Sequence, residues 1–133
     1  DVIDFVEILT TGNATDFGDM SQARRDVYVA SSATRGVFGG GYTPTILNTI
    51  DYITIATTGN AQDFGDLNTN SGYPTGAASP TRAVFHIGSA HPSVVNTLEY
   101  VQIMSTGNAL DFGDLTQGRQ MRSGACSNGH GGL

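Results

Sequence analysis

The string Thr-Gly-Asn-Ala-x-Asp-Phe-Gly-Asp occurs three times in 133 residues, beginning at Thr11, Thr58 and Thr106, so the copies lie 47 and 48 residues apart. Agreement of that length at a fixed spacing marks a repeat, and a repeat constrains the fold: each unit buries its faces only against its neighbours. The register extends beyond the string. Each copy follows an alternating run: Asp4-Phe5-Val6-Glu7-Ile8, Asp51-Tyr52-Ile53-Thr54-Ile55 and Glu99-Tyr100-Val101-Gln102-Ile103. Thr34-Arg35-Gly36-Val37-Phe38 returns as Thr81-Arg82-Ala83-Val84-Phe85, and Asn48-Thr49-Ile50 as Asn96-Thr97-Leu98. The units span approximately 1–49, 50–97 and 98–133, the last incomplete.

Within a unit the pattern is β. Apolar residues alternate with polar ones, β-branched and aromatic types are enriched, and Gly, Asn, Asp, Ser and Pro punctuate every 8–12 residues or so. In the unit from Ile50 to Thr97, strands are expected at Ile50–Ala56, Phe64–Leu67, Gly76–Ala78 and Ala83–Ile87. A turn is expected at Thr58-Gly59-Asn60, another at Ser79-Pro80-Thr81, and the Phe64 ring points inward. Helical periodicity is absent over any ten residues. Four short antiparallel strands per unit is the pattern of a β-propeller blade.

The residues carry a resemblance. Val37-Phe38-Gly39-Gly40, then Asp51-Tyr52, then an aromatic at Phe64, resembles a kelch repeat, in which a double glycine ends the second strand and an aromatic precedes the fourth. Phe17, Phe64 and Phe112 take the position of the kelch Trp, and His86-Ile87-Gly88 replaces the double glycine in the second unit. The motif wording is similar to kelch-like arrays in structural proteins of marine tailed bacteriophages. The resemblance implies an all-β, kelch-like propeller array acting as a virion or tail-appendage module in assembly or host attachment. It also implies a virion or extracellular location, with self-association or other virion proteins as partners. A lectin-like propeller that binds a host-surface glycan is the alternative.

A propeller needs about four to eight blades, so three units leave faces open. Asp1 in place of Met reads as a processed or excised piece of a longer array. The alternative is a six-bladed ring of two chains, in which the first strand of one completes the last blade of the other. Either way exposed blade faces predict association.

Charge and composition narrow the function classes. Six Arg and no Lys stand against twelve acids, a net charge of −6, which gives no basic footprint for nucleic acid. No apolar run reaches the ~18 residues of a membrane-spanning helix. A single cysteine, Cys126, excludes an internal disulfide and reads as a small buried residue on an inner strand, since it aligns with Ser31 and Ala78.

The pairs Asp16/Asp19, Asp63/Asp66 and Asp111/Asp114 are the sharpest chemical candidates. A catalytic acid–base pair is needed once per site, whereas this one recurs in every unit, so it reads as turn chemistry in which Asp accepts from nearby backbone N–H groups. The chain is accordingly expected to be no enzyme and to need no cofactor. Oxygen donors at Asn13, Asp16 and Asp19, Asn60, Asp63 and Asp66, and Asn108, Asp111 and Asp114 make weak calcium candidates whose spacing matches no EF-hand loop. Asp-Phe-Gly has no kinase context around it, and Gly39-Gly40-Gly41 reads as room for close strand packing. His86, His91 and His130 lack ligand spacing. The loops after Asp-Phe-Gly-Asp vary between units, and such loops gather on one face of a repeat array. Arg24, Arg25, Tyr73, Arg119 and Arg122 are the binding candidates there.

Overall fold

The computed structural model describes residues 1–90, 93–119 and 124–128. His91, His130, Arg122 and the Gly131-Gly132 pair lie outside the described residues. The described residues are all β and turn, with no helix.

The strands run β1 Val2–Phe5, β2 Thr15–Asp19, β3 Tyr28–Ser31, β4 Arg35–Gly39, β5 Thr49–Thr54, β6 Gln62–Asp66, β7 Thr75–Ala78, β8 Arg82–His86, β9 Ser89–Ala90, β10 Ser93–Val94, β11 Thr97–Gln102 and β12 Leu110–Asp114. Two four-stranded antiparallel sheets dominate, in the orders β3-β4-β5-β6 and β7-β8-β11-β12. β1 and β2 form a two-stranded sheet that matches the last two strands of each larger one, and β9 with β10 is a small hairpin. Each larger sheet takes its first two strands from the end of one sequence unit and its last two from the start of the next. The sheets are therefore set half a unit out of phase with the repeat of the sequence.

The hairpin turns explain the strand ends. Between β3 and β4, Ser32 Oγ accepts from the Thr34 and Arg35 amides at 3.3 and 3.1 Å; between β7 and β8, Ser79 Oγ accepts from Thr81 and Arg82 at 3.3 and 3.0 Å. These are the serine turns that the polar triplets imply. Behind them, Arg35 and Arg82 lie over the rings of Tyr52 and Tyr100 at 4.4 and 4.9 Å.

One hydrophobic core is shared by both larger sheets. Val37, Ile50, Phe64 and Leu67 come from the first, and Ala83, Phe85, Ile87, Val101 and Ile103 from the second. β3 runs against β7 and β8, and Tyr28 meets Phe85 edge to face at 5.3 Å. Burial of Tyr28 pushes its hydroxyl up to about 12. Gly39 has the close-packing role expected of it: a Cβ there would run into the Phe85 ring of the neighbouring sheet.

Cys126 corrects an expectation. It is exposed; of the two residues it aligns with, Ser31 is exposed and Ala78 is half-buried against the core, so place in the repeat does not fix burial there.

Candidate functional site

The repeated nonapeptide is a joint between successive units. Its second half forms a β-bulge in every copy. Ile50 pairs with Gly65 but Asp51 pairs with Asp63, which leaves Phe64 as the extra residue; Phe17 and Phe112 are skipped in the same way. A bulge re-aims one side chain and takes one residue out of the ladder. Here the Phe ring meets Phe5, Tyr52 or Tyr100 edge to face at 5.9–6.1 Å, buried at Phe17 and Phe64 and half exposed at Phe112. The glycine that follows takes a φ of 144°, 141° or 130°, a region that side chains rarely enter. Asp16 Oδ1 accepts from the Gly18 amide at 3.1 Å and Asp111 Oδ1 from the Gly113 amide at 3.3 Å. In the first and third copies the first Asp of the pair thus does the turn work expected of it.

The bulge frees the Phe carbonyl, and the first half of the next copy takes it. The Gly59 amide donates to Phe17 O at 2.7 Å, the Ala61 amide donates to Asp19 O at 2.8 Å, and Asn60 Oδ1 accepts from the Asp19 amide at 3.1 Å. One unit on, the Gly107 amide donates to Phe64 O at 2.7 Å, the Ala109 amide to Asp66 O at 2.8 Å, and Asn108 Oδ1 accepts from the Asp66 amide at 3.1 Å. A Cβ on Gly18 would stand 2.5 Å from the Gly59 carbonyl, and one on Gly65 2.5 Å from the Gly107 carbonyl oxygen. Glycine is therefore needed twice over, for its φ and for the approach of the next backbone. The clasp also covers the outer strands β2 and β6, whose edges would otherwise be open to pairing.

Beneath each clasp lies a buried acid that the sequence reading passed over as one half of an acidic–aromatic pair. Asp51 accepts from Ser21 Oγ at 2.7 and 2.8 Å, from the Ser21 amide at 3.2 Å, and from Arg24 Nη2 at 3.1 Å. Both charged side chains of that pair are fully buried. Glu99 holds the equivalent place one unit on: it accepts from the Asn68 amide at 2.8 Å and from Thr69. Burial pushes the Glu99 carboxyl above its ordinary range, and those hydrogen bonds only partly offset the shift. The signal was present in the sequence: an acid inside an alternating apolar strand, at one register, in all three units.

The predicted binding residues separate. Arg24 is not at a surface; its guanidinium is buried on Asp51, with Nε and Nη1 unpartnered, and burial lowers its pKa despite Asp51 beside it. Arg25 is exposed, 3.6 Å from Asp26 and 4.7 Å from the centre of the Tyr42 ring, and Tyr42 stacks on Tyr73 at 6.4 Å. Arg25 and Tyr73 thus share one cluster, while Arg119 is exposed, with its carbonyl beside Gly88. His86 is buried with Nε2 3.5 Å from Val95 O, and burial lowers its pKa.

Among the described residues no three His, Cys, Asp or Glu side chains are grouped to hold a metal, and Asn60 and Asn108 spend their oxygens on the clasp. Two of the clefts occupy one place in successive units. One of about 290 Å³ is lined by Tyr52, Thr57, Gly59 and Asn60, and one of about 120 Å³ by Phe5, Thr10, Gly12 and Asn13 at the same place in the preceding unit. Neither holds a nucleophile set against a base. No family model matches the chain, and no curated protein matches it.

Proposed function

We propose that the chain is a run of kelch-like propeller blades with a structural and interaction role, in a virion or tail appendage of a tailed phage, in assembly or host attachment. One observation carries the non-catalytic part. The polar groups that chemistry would need are committed to joining units: Asp16 and Asp111 to bulges, Asn60 and Asn108 to clasps, Asp51 and Glu99 to the loops of the unit before. The four-stranded order, with β3 set against the first strands of the next sheet, supports the blade reading. The phage location rests on the similarity of the motif wording.

The test is mass spectrometry of gradient-purified tailed-phage particles from the source of the sequence. Peptides of this chain at copy numbers comparable to known tail proteins are the expected result. Their presence in the soluble lysate alone overturns the virion role.

The Arg25–Tyr42–Tyr73 cluster favours a second reading, a glycan site, because stacked rings beside a cation suit a sugar face. Binding on a glycan array that Tyr73→Ala abolishes would establish it; an array without hits removes it.

A further inference from the structure

The nonapeptide joints recur, but the cluster around Tyr42 is built once. Gly72 and Gln120 stand where Arg25 stands in the first unit, and no tyrosine lies between Gly88 and Asn96, against Tyr42 between Gly41 and Asn48. The cluster sits at the seam of the two four-stranded sheets: Arg25 precedes β3, Tyr42 follows β4 and Tyr73 precedes β7. Loops that depart from an otherwise regular repeat are where an array of this kind carries recognition.

Backbone hydrogen bonds fix the three segments in place. The Arg25 amide donates to Tyr42 O at 3.0 Å and the Tyr42 amide to Arg25 O at 2.8 Å. The Gly41 amide donates to Ser71 O at 2.8 Å, and the Ser71 amide to Leu47 O at 2.8 Å. Glycine is required where the segments cross, since a Cβ on Gly41, whose φ is 118°, would stand 2.9 Å from Arg25 O. On this frame the guanidinium carbon of Arg25 lies 4.7 Å from the centre of the Tyr42 ring, and the Tyr42 and Tyr73 rings stack with 18° between their planes.

Asp26 completes the arrangement. Among the described residues it is the one non-glycine residue of positive φ, at 57°, and strain of this kind collects at ligand sites, where the surrounding structure imposes it. Its carboxylate stands 3.6 Å from Arg25 Nε, with the two side chains 42% and 69% exposed. So long and open a pair contributes little energy; it aims the guanidinium without consuming it. Neither that guanidinium nor the hydroxyls of Tyr42 and Tyr73 have a hydrogen-bond partner among the described residues.

We propose that this cluster binds a sugar that carries a carboxylate, and that Arg25 selects it. A guanidinium presents paired N–H donors in one plane, matched to the two oxygens of a carboxylate. The tyrosines add apolar ring surface with hydroxyls at its edge, and ionised Asp26 is an acceptor for sugar hydroxyls. A neutral sugar would leave the guanidinium unused. A multiply charged phosphate or sulfate chain would meet Asp26 and a protein of net charge −6. The inference rests on the glycan reading above and adds the class of sugar and the residue that chooses it.

The test is an array of carboxylated, sulfated and neutral glycans, followed by titration of the strongest hit in its native and carboxyl-reduced forms. Hits are expected among the carboxylated glycans, and reduction of the carboxyl to an alcohol weakens binding at least about tenfold. Arg25→Ala does the same, and Arg25→Lys, which keeps the charge but not the planar fork, recovers only part of the loss. Because the Arg25 side chain is exposed, the melting midpoints of both variants stay at that of the parent. Carboxylated hits that Arg25→Ala leaves unchanged overturn the site. Hits without preference for a carboxylate overturn the sugar class and leave the glycan reading standing, whereas an array without hits removes both.

Discussion

The two internal joints are the same in backbone and different in chemistry. Donor–acceptor distances in the clasp agree to the first decimal, at 2.7, 2.8 and 3.1 Å. Beneath them, one joint neutralises its buried acid with Arg24, and the other leaves Glu99 to amide and hydroxyl donors while Ser71, in the place of the arginine, donates to Ile87 O. The conserved geometry therefore resides in the bulge and the turn, which are backbone devices specified by Gly, Asn and Asp. The buried acid can be satisfied in more than one way provided that every lone pair finds a donor. A third comparison follows: the same bulge at Phe112 is formed with its ring half exposed, so the bulge does not require a following unit over it.

The largest effect should separate the two joints. Asp51→Asn leaves the buried Arg24 guanidinium without its counter-charge and is expected to cost about 3–5 kcal/mol in urea unfolding at neutral pH. Replacing both partners by apolar residues, Arg24→Met with Asp51→Leu, should recover much of that. Equal changes in stability for Asp51→Asn and Glu99→Gln would erase the distinction.

Gly65→Ala and Gly113→Ala weigh the clasp itself. Both force a side chain to a φ near 130–140°, but only at residue 65 does the added Cβ meet a neighbouring backbone. Gly113→Ala should cost about 1–2 kcal/mol for strain, and Gly65→Ala about 2 kcal/mol beyond that. Equal costs would mean that the next unit does not lie where Gly107 now stands.

Smaller again is the asparagine staple. Asn60→Ala and Asn108→Ala should each lower stability by about 1 kcal/mol, whereas Asn13→Ala should leave the monomer unchanged. Glu99→Gln should act in the opposite direction. The folded pKa of Glu99 is raised, so its contribution is fully present below the unfolded carboxylate value near 4.5 and is lost as pH rises through the folded value. The glutamine variant removes that slope and is expected to be more stable than the parent at neutral pH by up to about 1 kcal/mol. A thermal-melt series across the acid range reads both. Last, EDTA should leave the melting midpoint in place, since Asp16, Asp111, Asn60 and Asn108 each spend an oxygen on a backbone amide; a drop that added calcium reverses would favour metal binding.

Much of the strand pattern was legible because alternation and turn residues are local signals. Thr75–Ala78 and Arg82–His86 lie within a residue of where the pattern puts them, and Phe64 points inward as expected. Phe112 shows the limit of that signal: its ring has the same local sequence as Phe64 and is half exposed, because burial there depends on a neighbour and not on the strand itself. The joint was not legible for the same reason. Its two halves are contiguous in the sequence, which suggests one local turn, while in the structure each half bonds to the other half of a different copy, 41 or 42 residues away. Arg24 shows the reverse error: a cation in a variable polar loop reads as a surface residue, and only the fold reveals the acid of the next unit waiting for it.

The central claim is that the repeated motif works between units. Amide hydrogen exchange followed by NMR, at a dilution that keeps the chain monomeric, tests it most directly. The Gly59, Ala61, Gly107 and Ala109 amides are predicted to exchange slowly, each held by a carbonyl of the preceding unit, and the Gly12 and Ala14 amides to exchange quickly. Equal exchange at all three copies of the motif would contradict the account.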